Sequence, residues 1–291
     1  MPLKKLLLIG VLSLPLTFIA CSNEEKKDDN EVELTAINEG NVPWDISVLA
    51  YTFRKFTFFE AVEKAKELGL TNIGGYPGQE IGGGIEGKMG IDLDAEKRGK
   101  ILAYLKQEGV KLADFGVVTP SSDDDWRKLF EFAKAMGIPL IVSEPKPEKL
   151  DMVVALGEEF DINIAIHNHP SPSIYADPDK MLETIQGYSN RLGVCADVGH
   201  WIRSGFDPVE SLKKLEGRIL ELHFKDESVL GKEAEEIVWG TGVANVKGML
   251  EELERQNFSG VLAIEYESRP EDNMDEIKQS MQYYHQVIGN W

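Results

Sequence analysis

The chain has 291 residues and a formal net charge of −19, with 50 acidic residues against 31 Lys and Arg. Such a negative surface repels nucleic-acid phosphates and anionic lipid headgroups, so we expect no nucleic-acid partner. Hydrophobic residues make up 42% of the chain, which is enough for a globular core. Two cysteines exclude a disulfide framework and a Cys-rich zinc site, so any bound metal would need His, Asp and Glu ligands.

Residues 1–20 have the pattern of a secretory signal peptide. Two lysines precede an apolar run over residues 6–20 that is too short and too interrupted to span a bilayer. The sequence FIAC at 18–21 resembles the lipobox of bacterial lipoproteins, in which the chain is cut before a cysteine that then carries lipid. This resemblance implies lipidation of Cys21 and an extracytoplasmic protein, at the periplasmic face or the cell surface. The alternative is a plain signal peptide that leaves a free cysteine.

Residues 21–44 are predicted to form the lipidated cysteine and a flexible acidic tether. They are polar, rich in acidic residues and without helical or strand periodicity. A flexible coil of about twenty residues reaches roughly 25 Å. The lipid anchor would therefore be the protein's only membrane contact, and the folded body would begin at residue 45.

From residue 45 to 291 the chain repeats a short apolar run, a polar loop and an amphipathic segment with helical spacing. The predicted strands are Ile46–Ala50, Asn72–Gly75, Lys111–Val118, Leu140–Ser143, Asn163–Ile166, Gly193–Ala196, Leu220–Leu222 and Val261–Ile264. Roughly 31 residues per unit is the size of a βαβ repeat, whose strands are parallel and covered on both faces. Eight even units favour a single-domain α/β fold, the (β/α)8 TIM barrel, over a doubly wound open sheet.

Polar side chains stand where several predicted strands end, which is where the functional site of such a barrel lies. Glu144, Asp197, His223 and Glu265 follow the fourth, sixth, seventh and eighth strands. Three carboxylates and one imidazole predict a site for one divalent metal ion, Mn²⁺ or Mg²⁺ in the first place and Co²⁺ or Zn²⁺ otherwise. The alternative is that these are strand-end residues held by ordinary hydrogen bonds.

At these residues the sequence resembles the xylose-isomerase-like TIM-barrel superfamily, which includes ketose 3-epimerases, hydroxypyruvate isomerase, inosose dehydratase and endonuclease IV. The segments that carry the resemblance are Ser143–Pro145, Ile166–His169, Asp197–His200, Leu222–Asp226 and Ile264–Glu267. The resemblance implies that the four strand-end residues named above hold the metal, and that His200 contacts substrate or a second metal. The second and third strands lack the histidines that endonuclease IV uses for its zinc cluster, which excludes DNA repair.

The resemblance further implies a metal-dependent isomerase or epimerase acting on a small carbohydrate. Glu144 and Glu265 would remove and return a proton through an enediolate, and His200 and Lys225 would polarise or protonate its oxygens. The same intermediate allows elimination from a 3-keto-glycoside, so a lyase or hydratase is an alternative, and a non-catalytic sugar-binding lipoprotein is another. Because phosphorylated sugars are scarce outside the inner membrane, we expect an unphosphorylated keto-sugar. The oligomeric state stays open.

Four further residues are expected at the substrate. His167 and His169 are two apart on one strand and point the same way, while Asn168 faces the other side. One of the two histidines would contact substrate, or else orient Asp197 or Glu144. Trp239 and Arg203 complete the predicted substrate-binding set, although ordinary loop packing explains Trp239 equally well.

Three other patterns have simpler interpretations. The glycines of 82–87 have dinucleotide-motif spacing but not its strand–helix context, so residues 77–90 are expected to form a mobile loop over the site. The run Asp123–Asp125 predicts a helix start. Cys195 lies inside an apolar strand and is predicted to belong to the core.

Overall fold

A computed structural model describes residues 42–289 and residue 291. The predicted signal peptide and Cys21, and the tether up to residue 41, lie outside the described residues. Contacts divide the chain into residues 1–33 and 34–291, and all described residues belong to the second unit. Within the described part, no helix has the length and apolar character that crossing a membrane requires.

Eight parallel strands close into a barrel. They are β1 (Asp45–Leu49), β2 (Asn72–Gly75), β5 (Lys111–Phe115), β6 (Leu140–Ser143), β7 (Asn163–His167), β8 (Leu192–Asp197), β9 (Ile219–Phe224) and β12 (Val261–Ile264). Their order around the barrel is β1-β12-β9-β8-β7-β6-β5-β2. Two small antiparallel pairs lie in loops and consist of β3 (Glu80–Gly82) with β4 (Ile85–Lys88) and β10 (Asp226–Glu227) with β11 (Glu236–Ile237). The predicted (β/α)8 barrel is confirmed, and each of the eight predicted strands overlaps a barrel strand.

Helices connect the barrel strands. They are α1 (Phe58–Glu67), α2 (Ala95–Glu108), α3 (Asp123–Met136), α4 (Leu150–Phe160), α5 (Pro178–Ile185), α6 (Val198–Arg203), α7 (Pro208–Lys214), α8 (Val246–Arg255) and α9 (Met274–Ile288). Short 3₁₀ turns cover Ala50–Phe53 and Pro147–Lys149. The predicted helix start at Asp123–Asp125 is confirmed, because Ser122 caps α3 by accepting a hydrogen bond from the Asp125 backbone.

The apolar core has two layers. Strand residues such as Ile141, Val194 and Leu222 pack with the helices in the larger cluster. Residues that alternate with them, including Val142 and Cys195, form a smaller cluster, and strand alternation places it inside the barrel. The prediction that Cys195 is a core residue is therefore confirmed.

One boundary differs from the sequence-based expectation. Trp44, assigned to the tether, is 5% exposed, and its indole nitrogen donates to the Tyr284 hydroxyl at 2.9 Å, so it belongs to the folded body. Residues 77–90, predicted to form a mobile loop over the site, contain the β3–β4 hairpin. Gly83 and Gly84 turn the hairpin with φ of 58° and 76°, a region that glycine enters at low cost.

Candidate active site

Three of the four predicted metal ligands lie side by side at the carboxyl end of the barrel. Asp197 ends β8 and pairs in register with His223 on β9, while Glu265 directly follows β12. The His223 Nδ1 atom is 3.3 Å from Glu265 Oε2 and 3.8 Å from Asp197 Oδ2. All three side chains are almost completely buried. The neighbouring strands therefore bring together two carboxylates and one imidazole.

The chemistry of this group fits a divalent cation. His223 is 3% exposed, and neither of its ring nitrogens has a hydrogen-bond partner among the described residues. A buried polar atom without a partner is costly, and a metal bound at Nδ1 would remove that cost. Ligand atoms of His167, Asp197 and His223 also lie within 4.8 Å of one another. We conclude that the donor set suits a metal ion, with His167 as an additional candidate ligand.

Glu144, the fourth predicted ligand, faces two histidines. Its Oε1 atom is 3.1 Å from His167 Nδ1 and also contacts His169 Nδ1. Burial alone would raise the pKa of Glu144, but hydrogen bonds from these histidines lower it to about 2. Glu144 is thus joined to the Asp197 group through His167, and the structure gives no direct contact between Glu144 and the other three predicted ligands.

His167 stands at the centre of this arrangement. Its second ring nitrogen, Nε2, is 3.6 Å from Asp197 Oδ2. Although burial opposes the charged imidazolium, the nearby Asp197 and Glu144 carboxylates raise the pKa of His167 to about 9. The predicted opposite orientation of Asn168 is also observed, because its side chain exchanges two hydrogen bonds with the Asp197 backbone at 2.8 and 2.9 Å.

His200 lies one helical turn after Asp197 and contacts the same carboxylate. The backbone N–H of His200 donates to Asp197 Oδ1 at 2.8 Å, and its Nε2 atom is 3.5 Å from Asp197 Oδ2. Burial lowers the pKa of His200 to about 3, so its imidazole is neutral near pH 7. A neutral imidazole at this position can donate a hydrogen bond to a substrate oxygen or accept one from it.

Lys225 is placed differently from the predicted role. Its side chain is fully buried, with Nζ 2.5 Å from Glu265 Oε2 and 3.0 Å from Asp197 Oδ2. Glu236 and Glu267 lie 3.5 and 3.6 Å from the same nitrogen. Because Lys225 is enclosed by carboxylates and does not line the cavity, the expectation that it polarises substrate oxygens is corrected: the ammonium neutralises and orients the acidic residues.

Trp239 also requires a correction. It is 2% exposed, and its ring packs edge-to-face on Phe224 with 4.8 Å between the ring centroids. Its backbone N–H donates to the Ser280 hydroxyl at 3.1 Å. Trp239 therefore fills the core behind β9, and the predicted stacking on a sugar ring does not fit this position.

A cavity of ≈ 520 Å³ opens onto the metal-ligand group. It is lined by Leu49, Tyr51, Tyr76, Gly116, Val117, His167, His169, Pro170, Asp197, His200, Arg203, His223, Glu265 and Glu267. Four predicted residues, His167, His169, His200 and Arg203, are therefore at its wall. Arg203 is paired with Glu227 at 3.0 Å, which partly neutralises its charge.

Sequence reasoning missed the aromatic part of this wall. Tyr51 and Tyr76 contact each other edge-to-face with 4.8 Å between centroids. They follow the first and second barrel strands, so the strand-end rule that located the acidic residues could have found them. We applied that rule only to His, Asp and Glu, because these residues bind metals, and so it did not identify the two tyrosines.

Two buried acidic residues inside the barrel were missed as well. Asp114 on β5 and Glu221 on β9 are 1% and 0% exposed. Burial raises the pKa of both carboxyl groups. Their signal in the sequence is an acidic residue within an otherwise apolar strand, which is unusual for a barrel interior.

Comparison with known proteins agrees with the observed fold. A crystal structure of an uncharacterized protein from Parabacteroides distasonis ATCC 8503 is 32% identical and covers 84% of this chain and 99% of its own, with a TM-score of 0.71. Among curated proteins, the inosose dehydratase of Clostridium perfringens (strain 13 / Type A) is 26% identical over 142 residues. That match covers 42% of this chain and spans only 46% of the dehydratase's own length.

More distant structures share the fold. A D-tagatose 3-epimerase-like protein is 18% identical and covers 84% of this chain and 98% of its own, with a TM-score of 0.66. The IolI protein, crystallised with a bound zinc atom, is 14% identical and covers 85% of this chain and 99% of its own, with a TM-score of 0.67. The names of these relatives include an epimerase-like protein and a dehydratase. The family model of the xylose isomerase-like TIM barrel matches residues 62–287, and the chain belongs to this family.

Proposed function

We propose that the protein is a divalent-metal-dependent isomerase or epimerase that acts on an unphosphorylated keto-sugar through an enediolate. The observation that carries this proposal is the group formed by Asp197, His223 and Glu265 at the wall of a ≈ 520 Å³ cavity. Cavities of about 300–1,000 Å³ hold small-molecule ligands. A sugar-sized substrate can therefore reach carboxylates and an imidazole together.

Asp197, His223 and Glu265 would hold the metal, with His167 or Glu144 as the fourth ligand. When bound, such an ion supplies Lewis-acid stabilisation of the negative charge that develops on a carbonyl oxygen. Carboxylate-rich sites suit Mn²⁺ or Mg²⁺, whereas inclusion of His167 would shift the preference toward Zn²⁺ or Co²⁺. The zinc atom of the IolI structure is consistent with either ligand set.

Glu265 is the residue we propose to take the proton from the substrate carbon. Lys225 and His223 lower the pKa of Glu265 against the opposing effect of burial, so its carboxylate is ionised. On the side of the cavity where Glu144 lies, His169 forms part of the wall, and its Nδ1 atom contacts Glu144. We propose that His169, held by Glu144, returns the proton, which reassigns part of the role predicted for Glu144.

The charge of the cavity favours an unphosphorylated substrate. Asp197, Glu265 and Glu267 contribute carboxylates to the wall, whereas Arg203 is already paired with Glu227. Apart from the proposed metal, the described lining offers a phosphate dianion no cationic side chain that is free of a carboxylate partner. Tyr51 and Tyr76 offer an aromatic surface suited to the apolar face of a sugar ring.

Elimination is the second candidate reaction. The observation that favours it is the match to a curated inosose dehydratase, at 26% identity over 142 residues. Removal of the same proton, followed by loss of a β-substituent from a keto-sugar or 3-keto-glycoside, would need no additional group. The proton taken from the carbon can be passed to the departing oxygen, and His200, neutral and buried beside Asp197, can donate a hydrogen bond to that oxygen.

The test is deuterium exchange from solvent. Purified protein with Mn²⁺ is incubated in heavy water with unphosphorylated ketoses and 3-keto-glycosides, and NMR detects deuterium at the carbon beside the carbonyl. Exchange that yields an epimer or isomer supports the first reaction, and exchange with loss of a substituent supports the second. Glu265→Gln should abolish exchange, while the exposed Glu131→Gln should match the wild type. Sugar binding without exchange would overturn both enzyme proposals in favour of a binding protein.

We also propose that the mature protein is anchored by lipid at Cys21 outside the cytoplasm. This proposal rests on the FIAC sequence at 18–21 and on the acidic, non-periodic segment that follows it. An extracytoplasmic location agrees with a substrate that lacks phosphate.

A further inference from the structure

Two buried acidic side chains, Asp114 and Glu221, lie in the barrel interior, which we call the floor of the proposed site. Glu221 and His223 are two apart on β9, and their neighbours Leu222 and Phe224 pack in the outer core, so both polar side chains point into the barrel. Asp114 reaches the same interior from β5, where Gly74 leaves room for it: a Cβ there would lie 2.5 Å from Asp114 Oδ2. Such interiors are normally filled by branched apolar residues, so these acids call for an explanation.

The surroundings of Glu221 direct it at His223. Within 4 Å, the described residues offer Glu221 one ionisable nitrogen, His223 Nε2, at 3.7 Å from Glu221 Oε1. Asp114 shares the barrel interior with Glu221, and no hydrogen bond joins either carboxylate oxygen of Glu221 to a described residue. No lysine or arginine forms an ion pair with either acid in the region the structure describes. An ion pair with a basic side chain therefore does not explain why an acidic residue is buried at position 221.

The two nitrogens of His223 face different surroundings. Nδ1 is directed at Glu265 Oε2 and Asp197 Oδ2, at 3.3 and 3.8 Å, on the cavity side. Nε2 is directed into the barrel floor, where Glu221 and the Cys195 thiol lie. A neutral imidazole carries one proton, and the acceptor beside Nε2 decides which nitrogen holds it.

We propose that Glu221 is a positioning residue that accepts a hydrogen bond from the Nε2–H of His223 and so leaves the Nδ1 lone pair facing Asp197 and Glu265. Histidines that bind metals usually donate their second N–H to a carboxylate or carbonyl, which fixes the tautomer and the ring orientation. The distance of 3.7 Å is longer than a hydrogen bond, and we expect it to shorten when Nδ1 is engaged. The inference rests on the proposed function in that the metal is the partner of Nδ1.

The first test needs neither a bound metal nor a substitution of Glu221. NMR of metal-free protein labelled with ¹⁵N-histidine reports the tautomer of each of the five histidines, and His223→Asn identifies the signal. We expect the Nε2–H tautomer in the wild type. A proton on Nδ1 in the wild type would overturn the inference whatever the protein's activity.

The second test compares variants by tautomer and by Mn²⁺ affinity from calorimetry. Glu221→Leu removes the acceptor, so we expect tautomer mixing and metal binding weaker by about 10–100-fold. Glu221→Gln keeps a carbonyl acceptor and should stay within a few-fold of the wild type, as should the matched control Asp114→Asn. A purely structural role would change urea stability alone, and unchanged affinity and tautomer in Glu221→Leu would overturn the inference.

The two proposals fail in different ways. If the wild type binds no divalent metal, the proposed function fails, while the tautomer measurement still decides the role of Glu221. If the wild type binds metal but carries the His223 proton on Nδ1, the proposed function stands and Glu221 is not its positioning residue.

Discussion

Burial separates residues that can touch a substrate from residues that act on their neighbours. His169 is 49% exposed at its side chain and lines the cavity, whereas Lys225 is completely enclosed by acidic side chains. Both follow predicted strands, and the sequence predicted a catalytic role for Lys225 and a substrate-binding role for His169. The depth of a side chain below the barrel mouth depends on strand register and loop path, which one segment of sequence does not specify.

Removing the buried ammonium should expose how strongly these acids repel each other. Lys225→Met leaves Asp197, Glu265, Glu236 and Glu267 without their shared cation, and we expect a loss of about 3–5 kcal/mol in the free energy of unfolding. Mn²⁺ should recover part of this loss, because a bound cation again neutralises the carboxylates. Urea unfolding of metal-free and Mn²⁺-loaded protein measures both effects.

The control for this prediction is Lys213→Met, which removes an exposed pair with Glu210. Such surface pairs contribute about 0–1 kcal/mol. Equal destabilisation by the two variants would show that Lys225 does not hold the acidic group together.

At the scale of elements, β8 and α6 meet at one side chain that serves both. Asp197 Oδ1 caps α6, while Oδ2 faces Lys225 Nζ at 3.0 Å. The cap fixes the carboxylate plane, so the second oxygen is held toward the candidate metal group. The strand-end position of Asp197 was predictable from sequence, but its capping role was not, because α6 spans only six residues and has no clear periodicity.

The close approach of α6 to β9 predicts a steric effect. At Gly199 a Cβ would overlap the Lys225 side chain and lie 2.6 Å from Glu227 Oε1. Gly199→Ala should therefore destabilise the protein by about 1–3 kcal/mol and weaken Mn²⁺ binding, since α6 and Lys225 would both shift. Thermal unfolding and calorimetry measure the two effects.

A matched glycine is available in α2. Gly99 is exposed, and a methyl group added at its Cα would meet no other atom within 4 Å. Gly99→Ala should therefore stabilise the protein by about 0.5–1 kcal/mol through helix propensity. If Gly199→Ala were equally benign, the packing of α6 against Lys225 would not constrain the site.

At the scale of the whole molecule, the proposed lipid anchor would decide where the barrel works. Loss of residues 1–20 removes two lysines and changes the net charge to −21. That charge opposes adsorption to anionic lipid, so membrane association should depend on the lipid alone. In the native host we expect Cys21→Ser to leave an uncleaved or soluble protein without lipid, as read by metabolic labelling with a fatty acid.

Cys195→Ser is the control for this substitution, because Cys195 is buried in the barrel and carries no lipid in our proposal. Fatty-acid labelling that persists in Cys21→Ser would contradict the anchor. Labelling that disappears in both variants would point to impaired folding or export.

The eight-strand barrel could be predicted from the sequence, because apolar strands followed by amphipathic segments repeat along the chain and each pattern depends on near neighbours. The same local pattern placed Asp197, His223 and Glu265 at strand ends. Tertiary structure alone decided that Glu144 faces His167 and His169, that Trp239 and Lys225 are buried, and that Asp114 and Glu221 share the barrel interior. These contacts join strands and loops far apart in the chain, and their distances follow from barrel closure, which no local segment encodes.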